Sequence, residues 1–107
     1  MSNDVELIPD DELEVAADCL RVMGHPVRLR MVNILLQGEF SVGEIADICG
    51  LRPNHACEHL RLLQGRGLFD SERRGREVYY KVADERLVSL LECVQQHCDG
   101  GVAVETE

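Results

Sequence analysis

Four polar residues, Asn54, His55, Glu58 and Arg61, fall within about two turns of one segment, RPNHACEHLR. Amide and imidazole groups can pair with base edges, arginine suits guanine or phosphate, and glutamate can accept from cytosine N4. Further along, Arg73, Arg74 and Arg76 crowd around Gly75, a compact cationic cluster of the kind that contacts phosphates. A second chemistry is offered by five cysteines, at positions 19, 49, 57, 93 and 98, and by His97. Cys93 and His97 are four apart and share one face of a helix, whereas Cys98 is turned about 140° from Cys93. Thiol and imidazole are zinc and soft-metal ligands, and an exposed thiolate is open to oxidants. No nucleophile, base and orienting group stand in a recognisable motif, and the glycines lack a phosphate-cradling spacing, so an enzyme is excluded.

These side chains need elements to hold them. Ser41 with Glu44 three residues on is the spacing of a reciprocal helix cap. Val42, Ile45, Ala46 and Cys49 then form one apolar stripe, closed by Gly50. Pro53 suits a first helical turn, and Ala56, Leu60 and Leu63 give a second inward stripe that ends at Gly65 and Gly67. Two short helices around a tight turn are a helix-turn-helix, with the polar residues on the outer side of its second helix. A plain αα-hairpin with a solvated face has the same spacing, so the flanking segments carry the decision.

Upstream, Leu13, Ala16, Ala17, Leu20 and Met23 define an amphipathic helix from Asp11, broken at Gly24 and His25. Pro26 opens a helix that is apolar nearly all round and so belongs in the middle of the domain. Downstream, Val78, Tyr80 and Val82 alternate with polar neighbours after the Arg74-Gly75 turn signal, which reads as a β-hairpin with its arginines at the tip. Asp84 caps a last helix that carries Leu87, Leu90, Leu91 and Val94 on one face. The expected fold is mainly α with a β-hairpin wing: a winged helix-turn-helix of five helices, the hairpin between the fourth and fifth.

The expected organisation is an acidic flexible tail over 1–10, one DNA-binding and dimerisation domain over 11–98, and an acidic tail over 99–107. With 107 residues and 45% apolar content, one core is expected. No long apolar run and no basic leader occurs, so a cytoplasmic protein is expected, without membrane contact. An odd cysteine count without a C-x-x-C pair argues for free thiols or ligands over disulfides. The net charge of −9 opposes phosphate binding, but residues 26–81 carry +2 while residues 1–25 and 82–107 carry −6 and −5. Such a balance favours a site-specific mode resting on placed arginines over general affinity for DNA.

The segments HPVRLRMVNILL, EFSVGEIADICGL and LRPNHACEHLRLLQGRGLF, the last with His59, Leu60, Gly67 and Leu68, resemble the ArsR/SmtB family of winged-helix repressors over residues 16–98. The resemblance implies a homodimer built on the first and last helices. It would bind an imperfect palindrome in double-stranded DNA, repress by occlusion and leave when an inducer binds. By matching positions, Arg52, Asn54, His55, Cys57, Glu58 and Arg61 fall in or beside the reading segment. Asn54 and His55 are assigned to base edges, Arg52 and Arg61 to phosphates, the wing arginines to flanking backbone, and His59 to bracing the helix. Glu58 stands where relatives often have a basic residue and Cys57 where many have serine, and Glu58 is expected to face solvent.

The inducer is left open: a transition-metal ion, a thiol-reactive signal, or neither, with no cofactor required for the fold. Ser41 and Gly43 occupy the positions where the family's soft-metal cysteines would stand, so that site is absent. In the last helix Asp84 and His97 match half of the family's four-ligand zinc pattern, with Arg86 and Gly100 in the other positions. A cationic Arg86 opposes a divalent ion. Cys93 and His97 completed by Asp84 or Cys19, or else Cys57 alone, remain as candidate sensing residues. A winged helix used only for protein contacts, or a constitutive DNA binder, is the rival reading.

Overall fold

The computed structural model describes residues 5–99, with the side chains of Val94, His97, Cys98 and Asp99 outside that description. Five helices and three strands follow in the order α1 (Asp10–Met23), α2 (Pro26–Leu35), β1 (Phe40–Ser41), α3 (Val42–Cys49), α4 (Pro53–Gly65), β2 (Phe69–Arg74), β3 (Glu77–Val82) and α5 (Arg86–Asp99). This is the expected winged helix-turn-helix with one addition. The hairpin β2–β3 gains a third antiparallel strand, since Phe40 and Ser41 pair with Tyr80 and Tyr79 and the sheet order is β1-β3-β2. A two-residue bridge has no period-two pattern of its own and forms only because the chain already lies beside β3.

Local signals set the helix ends. The His25 ring accepts the Val27 N–H at Nδ1, 3.2 Å, and Pro26 opens α2 where no N–H is needed. Ser41 and Glu44 form the anticipated capping box, with bonds of 3.1 and 2.9 Å. Gly50 ends α3 at φ 70°, a left-handed conformation that a Cβ would strain, while the Leu51 N–H returns to the Ala46 carbonyl at 2.9 Å. This closure sets the short turn from α3 into α4.

The core lies among α2, α3, α4 and the inner face of the sheet. Met31, Val32, Ile45, Ala46, Ala56, Leu60, Leu63 and Phe69 are all buried, with Tyr80 and Leu87 at its margins. On α3, Ile45 and Ala46 are fully inside, while Val42 and Cys49 are only half-buried. The outer helices differ from this pattern. Of the apolar stripe of α1 only Met23 is buried, together with Val22; Leu13, Val15 and Leu20 are 47%, 65% and 55% exposed. Between α1 and α5 runs an open groove of about 740 Å³, lined by Leu13, Ala16, Leu20, Leu87 and Leu90 among others. Apolar area left uncovered on an otherwise packed chain is the usual mark of an interface.

Candidate nucleic-acid interface

The outer face of α4 is defined by its inner one. Ala56, Leu60 and Leu63 are wholly buried, so the helical repeat carries Asn54, Glu58 and Arg61 to the opposite side, where all three are exposed along with Arg52 and His55. Arg52 is the N-cap residue but its side chain makes no capping bond, and the first turn holds no acid. The positive end of the helix dipole and its unpaired N–H groups therefore face outward beside an available guanidinium, a favourable place for phosphate. Glu58 is exposed on the same face.

The wing is attached to this helix rather than hanging beside it. Gln64 of α4 donates from Nε2 to Ser71 Oγ of β2 at 3.0 Å, and Tyr80 of β3 is buried behind α4. Burial first, and the neighbouring Cys57 thiol second, hold the Tyr80 phenol above its ordinary pKa, with Arg61 and Ser71 acting in the opposite direction. Gly75, at φ 65°, makes the turn, and the register pairs Arg73 with Val78 and Arg74 with Glu77.

The tip arginines are not equivalent. Strand alternation puts Arg73 on the face of Val78 and Tyr80 and sends Arg74 to the other face. There Arg74 pairs with Glu39 and, at 3.1 Å, with Glu72, and its guanidinium lies 4.5 Å from the Tyr79 ring centre. These carboxylates raise the Arg74 pKa still further, chiefly through the Glu39 bond. Among the described residues no ion pair involves Arg52, Arg61, Arg73 or Arg76. The cations left available thus frame α4, while Arg74 ties the wing to the loop before β1.

His59 braces α4 from inside. Its Nδ1 accepts the Arg28 Nε–H at 3.1 Å, and its ring stands 5.1 Å from that of His25, centre to centre. Burial, then the Arg28 and His25 charges, lower its pKa below the usual 6.5, with Glu58 opposing and His55 adding slightly. A lowered folded pKa means that the unfolded chain takes up the proton first, so stability is full above about pH 6.5 and is lost as pH falls through the folded value. Denaturation midpoints taken at about pH 7.5 and about pH 5 should therefore fall with acid. In His59→Asn, which keeps an acceptor but does not titrate, the fall should be smaller.

Of the candidate sensing residues, Cys19 and Asp84 line one groove, Cys57 lies in α4 and Cys93 on α5. Asp84 has both carboxylate oxygens on Arg86, at 2.9 and 2.7 Å, and accepts the Arg86 N–H at 3.0 Å. Those bonds hold its carboxyl below the ordinary range, the Arg86 side chain having the largest effect. A divalent ion at Asp84 would have to displace a guanidinium already seated there, so this donor set does not suit one. Cys19 is half-buried in the groove that Asp84 and Arg86 also line. Cys93 is exposed on α5, and the side chain of His97 lies outside the described residues. Among the described residues no three His, Cys, Asp or Glu side chains are grouped to hold a metal. Cys57 is half-buried in α4, and burial raises the thiol pKa of Cys49.

Three residues at the site were not singled out from the sequence. Tyr80 was assigned only as a strand residue, and Glu39 carried no local signal because Arg74 is 35 positions away. Arg28 did carry one, since a charge in a helix otherwise apolar nearly all round demands a partner.

A helix-turn-helix with a wing, its outer face rich in uncommitted polar groups, is the architecture of a class of DNA-binding regulators. Residues 25–71 match the family described as bacterial regulatory protein, arsR family. The chain is 32% identical over 80 residues to the HTH-type transcriptional regulator YgaV of Escherichia coli, covering 73% of this chain and 80% of that one. It is also 32% identical over 75 residues to the biofilm growth-associated repressor of Agrobacterium fabrum, covering 70% of this chain and 64% of the relative, just under two thirds of its length. The solution structure of a homodimeric winged helix-turn-helix DNA-binding domain from Mycobacterium bovis superposes with a TM-score of 0.78 at 26% identity, over 96% of this chain and all of that one. The chain belongs to the ArsR family, whose members are regulators and not enzymes.

Proposed function

We propose that this chain is a homodimeric, sequence-specific DNA-binding repressor that occludes its operator and is released by a signal. The observation that carries the reading is the outer face of α4. Arg52, Asn54, His55 and Arg61 are exposed there, and no described ion pair engages its arginines or the flanking Arg73 and Arg76. Dimerisation is supported by the uncovered apolar stripe of α1 and its groove against α5, and by the homodimeric state of the Mycobacterium bovis relative. No helix among the described residues is long and apolar enough to cross a membrane, in keeping with a DNA-binding role in the cytoplasm.

Two-fold symmetry places one α4 on each half-site, about 34–36 Å apart. Nuclease footprinting on a duplex selected by the protein from random sequence tests this. Two protected segments related by two-fold symmetry and centred about one DNA turn apart are expected. One asymmetric segment would rule the dimeric mode out.

The signal is assigned to thiol chemistry at Cys57. This side chain is half-buried between the reading face and Tyr80, so an adduct or an oxidised sulfur must either push α4 outward or turn into the DNA contact. Overfilling a packed site costs about 1–3 kcal/mol, which corresponds to a loss of roughly fivefold to 150-fold in operator affinity if it falls on the DNA-bound form. A thiol-alkylating agent should release the wild type and leave Cys57→Ser bound. Equal release of both would move the sensing group elsewhere.

A further inference from the structure

The groups that would read DNA lie on α4, whereas the apolar face that would form the dimer seam lies on α1. Something within each protomer must fix one against the other. Arg28 spans that gap from α2. Its Nη1 donates to the Val22 carbonyl in the last turn of α1 at 2.9 Å, and its Nε donates to His59 Nδ1 in the middle of α4 at 3.1 Å. A guanidinium is a rigid planar fork, so satisfying both acceptors at once fixes their relative place in a way that a flexible ammonium cannot. The side chain is half-buried, and His25, which caps α2 through its own ring, packs beside the His59 ring.

A second link between the same helices is weaker. Asp18 of α1 pairs with Arg66, the residue that closes α4, at 2.8 Å, but both partners are more than a third exposed, and such surface pairs contribute little. The packing of Val22 and Met23 in one core with Ala56, Leu60 and Leu63 brings the two helices together, and of the two polar links between them Arg28 is the stronger and the more directional.

We infer that Arg28 is a positioning residue for operator recognition: without touching DNA, it locks the reading helix to the dimer helix and so fixes the distance and angle between the two half-site readers. The inference rests on the proposed function. Two-fold symmetry doubles its consequence, because a small rotation of α4 about Arg28 in each protomer displaces the two reading faces in opposite senses. Loss of the lock should leave each half-site contact chemically intact while blurring the preference for one spacing.

The test uses the full chain and the duplex that the wild type selects from a random library, alongside the same duplex with one base pair added between half-sites and a scrambled control. For Arg28→Lys, which can reach one acceptor but not both, affinity for the selected duplex should drop roughly tenfold to a hundredfold, the range of a mismatched base pair. Its preference over the spacing variant should shrink towards none, while dimer formation and binding to the scrambled duplex at low salt stay as in the wild type. His59→Leu should give the same defect, and adding it to Arg28→Lys should cost nothing more, since both remove one interaction. His59→Asn, which restores an acceptor, should recover spacing preference.

Unchanged spacing preference in Arg28→Lys, or additive losses in the double variant, would overturn the inference while leaving the DNA-binding reading in place. If the wild type selects no sequence at all, the proposed function falls and the inference falls with it.

Discussion

Replacing Phe69 with alanine is expected to lower the unfolding free energy by about 3–5 kcal/mol, the usual cost of emptying a buried aromatic position. Phe69 is 1% exposed and among the largest fully buried side chains. It opens β2 opposite Val82 and directly follows the turn that leaves α4, where the Leu68 N–H bonds back to the Leu63 carbonyl at 3.1 Å. It therefore fills the corner at which helix, turn and sheet meet. Since domains of this size are commonly stable by only about 5–15 kcal/mol, the loss is a large fraction of the whole. Urea denaturation reads it directly. A cost below about 1.5 kcal/mol would mean that the corner repacks, and that the sheet is not anchored as described.

The second large effect leaves stability alone and strikes binding. Asn54 and Arg61 are exposed and make no described bond within the chain, so alanine at either should shift the denaturation midpoint little. Asn54→Ala should weaken the selected duplex by about 1–3 kcal/mol and relax the base preference at one position in each half-site. Arg61→Ala should weaken all sequences alike and reduce the salt dependence of binding by about one counterion per site. The contrast between the two variants separates base reading from phosphate contact. If both behaved as phosphate contacts, direct reading would belong to other residues of the same face, His55 first.

The two helices around Gly50 were legible in the sequence because their signals are local. Ser41 with Glu44, Gly50, Pro53 and the two inward stripes each act within a few residues, and each took the expected place. The wing was legible through the turn signal at Gly75 and the alternation of Val78, Tyr80 and Val82 after it, although β2 before the turn is exposed beyond Phe69 and has no such pattern. Partners distant in sequence were not. Arg74 was assigned to DNA with its neighbours because a cluster of arginines reads as one cationic tip. Strand alternation and Glu39, which precedes the short β1 pairing, give it in addition a structural tie on the other face, which the sequence did not signal. Asp84 was correctly placed at the start of α5, but its commitment to Arg86 removes the carboxylate from the set of ready ligands. Cys49 lies on the inward stripe of α3 as its last residue and is half-buried rather than enclosed.

The −9 net charge is concentrated in the segments on either side of residues 26–81, which carry +2 and include α4 and the wing. Acidic flanks lower general affinity for DNA and leave the placed arginines to act where the sequence fits, which is the behaviour of a specific binder.

The measurement that bears most directly on the central claim is a titration of the purified protein against its selected duplex and a scrambled duplex of equal length, repeated over a salt series from about 50 to 200 mM. The expected result is a clear preference for the selected duplex, with log affinity falling linearly and steeply against log salt. Equal affinity for both duplexes, or binding indifferent to salt, would contradict DNA recognition by α4 and its wing.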